Sequence, residues 1–170
     1  MTRLAGFLLL QLAAAMFAGK RVADKRSRTE ALYSYCDMLG QLRGLLESDG
    51  SPMPALLQTL SKRCTGEASA FVGALNIAMT GLGQMSFQEI WRRVLAENDG
   101  LLDEEAGKTL EALGGVLGRY DLATELDALD QCRGQLRQRL ENMQNAQTQD
   151  TRVTWGVALS ASLLLGILLI

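Results

Sequence analysis

The sequence predicts an all-α protein: a compact bundle of about six helices flanked by N- and C-terminal transmembrane helices. Three observations carry this. Proline occurs only at positions 52 and 54, and the interior is rich in Ala, Leu, Gln, Glu and Arg, all strong helix formers. Apolar residues there recur at threes and fours, the helical period, and no strand pattern competes. At each end lies an apolar run without charge, Leu4–Ala18 and Val153–Ile170. At 1.5 Å per residue the second run reaches about 27 Å, close to the hydrocarbon thickness of a bilayer. The expected layout is a span over 4–19, a cytoplasmic bundle over 20–152 and a span over 153–170.

The first run is followed by Lys20, Arg21, Lys25, Arg26 and Arg28, which are hard to translocate. The alternative, a cleaved signal peptide, has Arg3 as its basic start and Ala13–Ala15 as a cleavage site, but these five cations argue against it. Arg133, Arg137, Arg139 and Arg152 precede the second run and no cation follows it. Both ends therefore place the interior in the cytoplasm and the termini across the membrane. The cations would also attract anionic headgroups, at about 1 kcal/mol each.

Within the interior, Leu32, Tyr35, Leu39, Leu42 and Leu46 mark a first amphipathic helix over 28–47. Asp49–Pro52 ends it, with Pro52 near a first helical position of the next. That helix carries Leu56, Leu57 and Leu60. A third, over 67–80, turns Phe71, Leu75, Ala78 and Met79 inward. Ser86–Glu89 reads as a capping box opening a fourth helix, with Phe87, Ile90, Trp91, Val94 and Leu95 on its apolar side. The fifth opens on Asp103–Glu105, acids that suit a helix N-terminus, and carries Ala106, Leu110, Leu113 and Leu117. Gly114 and Gly118 would share one of its faces and permit close approach of another helix. Gly118 would also close it in a left-handed conformation, and Asp121 would cap the sixth. The sixth keeps Leu122, Leu126, Leu129, Leu136, Leu140 and Met143 on one stripe, with a bend expected over 147–150.

The missing chemistry narrows function. There is no histidine, hence neither the commonest general base nor the commonest metal ligand. Cys36, Cys64 and Cys132 have no metal-site spacing, and read as half-buried thiols of a reducing compartment, shielded from impermeant reagents. No phosphate-binding Gly-Lys-Ser/Thr loop is present. We expect no catalytic residue, no cofactor, no metal and no nucleic-acid binding, since 17 basic residues face 19 acidic ones. The charge is nevertheless polarised. Between Glu97 and Asp130 ten acids stand against Lys108 and Arg119. Glu104, Glu105, Glu111 and Glu125 are the candidate surface for a basic cytoplasmic partner.

One pattern resembles a known family. Phe87 and Trp91, then Leu110, Leu113-Gly114, Leu117-Gly118 and Asp121, together with a span at each end and a basic segment after the first, resemble the stage III sporulation AB family of endospore-forming bacteria. The family pattern has Gln four residues after the Asp, where this chain has Glu125. The resemblance implies a helical domain similar to the cytoplasmic domains of type II secretion and type IV pilus platform proteins. It implies a scaffold role in a secretion-like channel between mother cell and forespore. The bundle would lie on the mother-cell side of the outer forespore membrane. Expected partners are other channel membrane proteins, a secretion-type ATPase, the lipid bilayer and further copies of the chain. Phe87, Trp91, Leu113 and Leu117 would be core residues, with Gly118 and Asp121 shaping the turn between helices five and six. The competing readings are a membrane-anchored adaptor unrelated to secretion, a secreted helical protein, and an enzyme using Asp/Glu chemistry.

Overall fold

In a computed structural model the chain forms six α-helices, with no strand among the described residues. The backbone is described over 2–49, 51–81, 83–119 and 121–169, and the side chains over 23–48, 51–81, 83–119 and 121–145. The helices are α1 (Thr2–Asp49), α2 (Met53–Arg63), α3 (Glu67–Ala78), α4 (Phe87–Asn98), α5 (Glu104–Gly114) and α6 (Leu122–Leu169). A single 3-10 turn, Met79–Gly81, follows α3.

Three boundaries differ from the sequence reading. The first amphipathic helix is part of one 48-residue helix, because nothing from Lys20 to Asp49 breaks it and the glycines of that stretch are two isolated ones, Gly40 and Gly44. α6 likewise runs on through 147–150 to Leu169, so the bend expected there does not end the helix. α5 stops at Gly114, three residues before Leu117. Two adjacent glycines weaken the helix there, and the backbone N–H groups of Gly115 and Val116 turn back to Ala112 and Leu113. The expected spans over 4–19 and 153–170 lie outside the residues whose side chains are described. Among the described residues no helix is long and apolar enough to cross a membrane.

Local chemistry explains the other ends. Pro52 caps α2 in extended conformation, and it is Pro54 that occupies the first turn. Gly66 enters α3 at φ 68°, a conformation costly for other residues. Ser86 and Glu89 form both halves of the capping box of α4. Hydrogen bonds donated by the Ser86 backbone N–H and hydroxyl hold the Glu89 carboxyl below its usual range. The Asp103 carboxylate accepts from the Ala106 N–H at the start of α5.

In space α1, α3, α4, α5 and α6 follow one another and close into a ring, with α2 laid across α1 and α3. α1 and α6 run antiparallel. Arg43 reaches Asp130 at 2.9 Å, and Gln144 donates to the Tyr33 hydroxyl at 2.9 Å. The core inside the ring is mostly leucine, including Leu39, Leu57, Leu75, Leu110 and Leu136. Its few aromatics cluster. Phe71 packs between Tyr35, with ring centroids 5.8 Å apart, and Trp91, at 5.0 Å in a T-shaped contact, and Phe87 stacks obliquely on Trp91. Such pairs contribute about 0.5–1.5 kcal/mol each beyond area burial.

Candidate functional site

The recurring residues of the fourth to sixth helices converge on one contact, the α4–α5 seam. Trp91 is fully buried, and its indole N–H donates to the Leu110 carbonyl oxygen at 2.8 Å. The ring packs against α5 where Gly114 has no side chain. A Cβ on Gly114 would sit 2.2 Å from Trp91 Cδ1, closer than any real contact allows. Leu110, Leu113 and Leu117 are buried beside it, and Phe87 is half-buried. Gly118 does not share this contact. It lies in the turn beyond α5 at φ 75°, with nothing within 4 Å of the position its Cβ would take. The expectation that Gly114 and Gly118 lie on one helix face is therefore corrected. Gly114 serves packing, and Gly118 serves backbone conformation.

The turn is closed from α6. Asp121 accepts hydrogen bonds from the Thr124 hydroxyl at 2.8 Å and the Thr124 N–H at 3.2 Å, which hold its carboxyl below the usual range. Glu125 reaches back to accept from the Gly118 N–H at 2.6 Å. Glu125 is 6 % exposed, so its assignment to a partner surface is corrected: the carboxylate is used inside the fold. A glutamine carbonyl oxygen could accept the same bond, so the contact does not require the acid.

The remaining acids also divide. Arg139 of α6 donates to Asp103 from Nε at 3.0 Å and from Nη2 at 2.8 Å, and pairs with Glu105 through Nη1. The bond to Glu105 is the largest cause of a guanidinium pKa raised above its ordinary value. Glu105 thus faces α6. Glu104 and Glu111 lie on the opposite flank, where with Asp99 they rim the groove between α4 and α5. Leu95, Ala96, Leu102 and Gly107 also line that groove, together with the cations Arg92 and Lys108. Lys108 pairs with Glu104 at 2.6 Å. Of the four acids read as one surface, the structure therefore brings together only Glu104 and Glu111. Asp130 is paired with Arg43. Glu97, Asp99, Glu111 and Asp127 have no ion-pair partner among the described residues.

Of the basic segment, the side chains of Lys20 and Arg21 lie outside the described residues. Lys25, Arg26 and Arg28 are exposed on α1, and Arg26 pairs with Glu30 at 2.8 Å. Sequence reasoning missed Arg139 as a bridge. The available signal was its place three residues after Leu136, at the edge of the core stripe. No group of His, Cys, Asp or Glu among the described residues could hold a metal ion. Cys64 and Cys132 are buried, and Cys36 is half-buried. Burial raises Cys64 to about 11 and Cys132 to about 12, and raises half-buried Cys36 as well.

Comparison with known proteins agrees with this architecture. A solved structure described as "Stage III sporulation protein AB (SpoIIIAB)" shares the fold with a TM-score of 0.65 at 17% identity, covering 72% of this chain and 98% of that one. No curated protein matches. The family profile of stage III sporulation protein AB matches residues 3–170, nearly the whole sequence. The chain belongs to the stage III sporulation protein AB family, and with it to the proteins of endospore formation.

Proposed function

We infer that the chain is a non-enzymatic platform subunit of a secretion-like channel between mother cell and forespore. In this reading the apolar runs over 4–19 and 153–170 anchor it in the outer forespore membrane. The bundle faces the mother-cell cytoplasm and docks a secretion-type ATPase beside other channel proteins. The observation that carries the reading is the antiparallel pairing of α1 and α6. The stretch of α1 before Tyr33 and the stretch of α6 after Gln144 leave the bundle at the same end, as two legs in one membrane require. The exposed cations Lys25, Arg26 and Arg28 lie on that side, where they favour anionic headgroups. The acid-rimmed α4–α5 groove, with Glu104 and Glu111, is the surface offered to a basic partner.

Co-purification from sporulating cells tests this. We expect a secretion-type ATPase and other channel subunits to be recovered. Glu104→Lys with Glu111→Lys should reduce ATPase recovery about tenfold and flatten its salt dependence. Recovery without any such subunit would favour an adaptor unrelated to secretion. Orientation needs an engineered reporter, because burial silences Cys64 and Cys132 on either side of a membrane. Exposed Gln58→Cys should be protected from impermeant maleimide in intact cells; labelling from outside would defeat the cytoplasmic placement.

A further inference from the structure

α6 carries two stripes. One is the core stripe through Leu129, Leu136 and Leu140. Beside it runs a second, through Ala128, Gln131, Gln135, Gln138 and Asn142, spaced three, four, three and four. That is the seam spacing of a coiled coil. The stripe is uncharged, although the rest of the exposed surface of α6 carries Asp127, Asp130, Arg137 and Glu141. Its four amides are exposed, and none has a hydrogen-bond partner among the described residues. With Thr109 and Ala112 of α5 and Val116 of the turn after it, the stripe lines two adjoining hollows of about 190 and 440 Å³, which share Thr109 and Gln135; Glu105, Lys108 and Arg139 border the second. From Ala128 to Asn142 the groove runs about 21 Å, nearly four helical turns.

An uncharged amide stripe flanked by charged residues suits one occupant in particular. Two copies held in one membrane must point the same way. A two-fold axis along their helices sets each α6 residue against the same residue of its partner. A charge near that axis meets its like and repels. A side-chain amide carries both donor and acceptor, so it can pair with its own copy. We propose that the α5–α6 groove seats a second copy of this chain, α6 lying parallel to α6 with Gln131, Gln135 and Gln138 facing their counterparts. This deepens the scaffold reading, and rests on it only for the shared orientation of the two copies.

The test uses the full chain in lipid nanodiscs, with two differently tagged copies co-expressed. Gln135→Glu and Gln135→Lys, alone, should each lower co-purification of the two tags at least tenfold. Co-expressing the Glu variant with the Lys variant should restore it. Helical circular dichroism should be unchanged, since Gln135 is exposed. Bismaleimide should join Gln131→Cys to Gln131→Cys, and Gln138→Cys to Gln138→Cys, well above the wild-type background set by the native thiols. Wild-type pairing in both charge variants, or no rescue on mixing, overturns the proposal. A cross between positions 131 and 138 in place of the like pairs overturns the parallel arrangement. ATPase recovery with Gln135→Glu separates the two readings. If it persists while pairing is lost, the scaffold role stands without the dimer.

Discussion

Gly114→Ala is the sharpest test of the α4–α5 seam, because two effects of opposite sign compete there. Alanine favours a helix over glycine by about 1 kcal/mol, so propensity alone predicts a more stable protein. Packing predicts the reverse. The new Cβ would lie 2.2 Å from Trp91 Cδ1, 2.5 Å from Cγ and 2.7 Å from Nε1, so the fully buried indole must move or α4 and α5 must part. An extra methyl in a filled core costs about 1–3 kcal/mol. Displacing the indole also breaks its 2.8 Å bond to the Leu110 carbonyl, worth about 1 kcal/mol. The balance is a destabilisation of about 2 kcal/mol, a fall in melting temperature of about 4–8 °C for a chain of this size. Thermal unfolding of the detergent-solubilised full chain, followed by circular dichroism, reads it. Trp91→Phe should relieve the clash, so the double variant should be more stable than the two single losses add up to. A melting temperature at or above wild type for Gly114→Ala would refute the close packing.

Further expectations concern the α5–α6 turn and the thiols. Glu125→Gln should change the melting temperature little, because the amide oxygen can accept the Gly118 N–H. Glu125→Ala leaves that N–H unbonded and should destabilise by about 1–3 kcal/mol, read by the same melt. Asp121 has its carboxyl held low by Thr124. Its stabilisation is complete above the ordinary carboxylate value and is lost as pH falls through the lowered folded value. The melting-temperature gap between wild type and Asp121→Asn should therefore be widest near neutral pH and close below about pH 4; a gap constant with pH would contradict this. Cys64 and Cys132, raised to about 11 and about 12, should ignore a thiol-reactive disulfide at neutral pH and react once guanidinium unfolds the chain. Prompt reaction of either in the folded protein would count against their burial.

What the sequence made legible was local. The Ser86–Glu89 box and the acids before α5 act within one helical turn, so residue order alone exposes them. The core leucines were visible for the same reason, since period reports a buried face. The features that escaped notice are relations across the chain. Glu125 looks like any surface acid until the turn brings the Gly118 N–H to it. Arg139 looks like a membrane-side cation until α5 lies against α6 and presents Asp103 and Glu105. The split between Glu104 and Glu105 was within reach, because neighbours on a helix point about 100° apart and cannot share one narrow surface. The early end of α5 was a misreading of apolar spacing. Leu117 keeps the helical interval and is buried, yet it reaches the core from a turn.

The closure of the ring by α1 and α6 also sets an order of events during synthesis. Arg43 and Asp130 are 87 positions apart, and Tyr33 and Gln144 are 111 apart. At about 5–20 residues per second, a newly made α1 waits about 5–20 s for this partner. Its nearer neighbours, α2 and α3, arrive much sooner and cover part of its apolar side. The outer seam left open in the meantime is flanked by Tyr33, Cys36 and Asp37, which water wets tolerably. The nascent chain thus closes its ring last, and until Leu129, Leu136 and Leu140 of α6 arrive, the leucine face they cover stays open to a chaperone or a neighbouring ribosome.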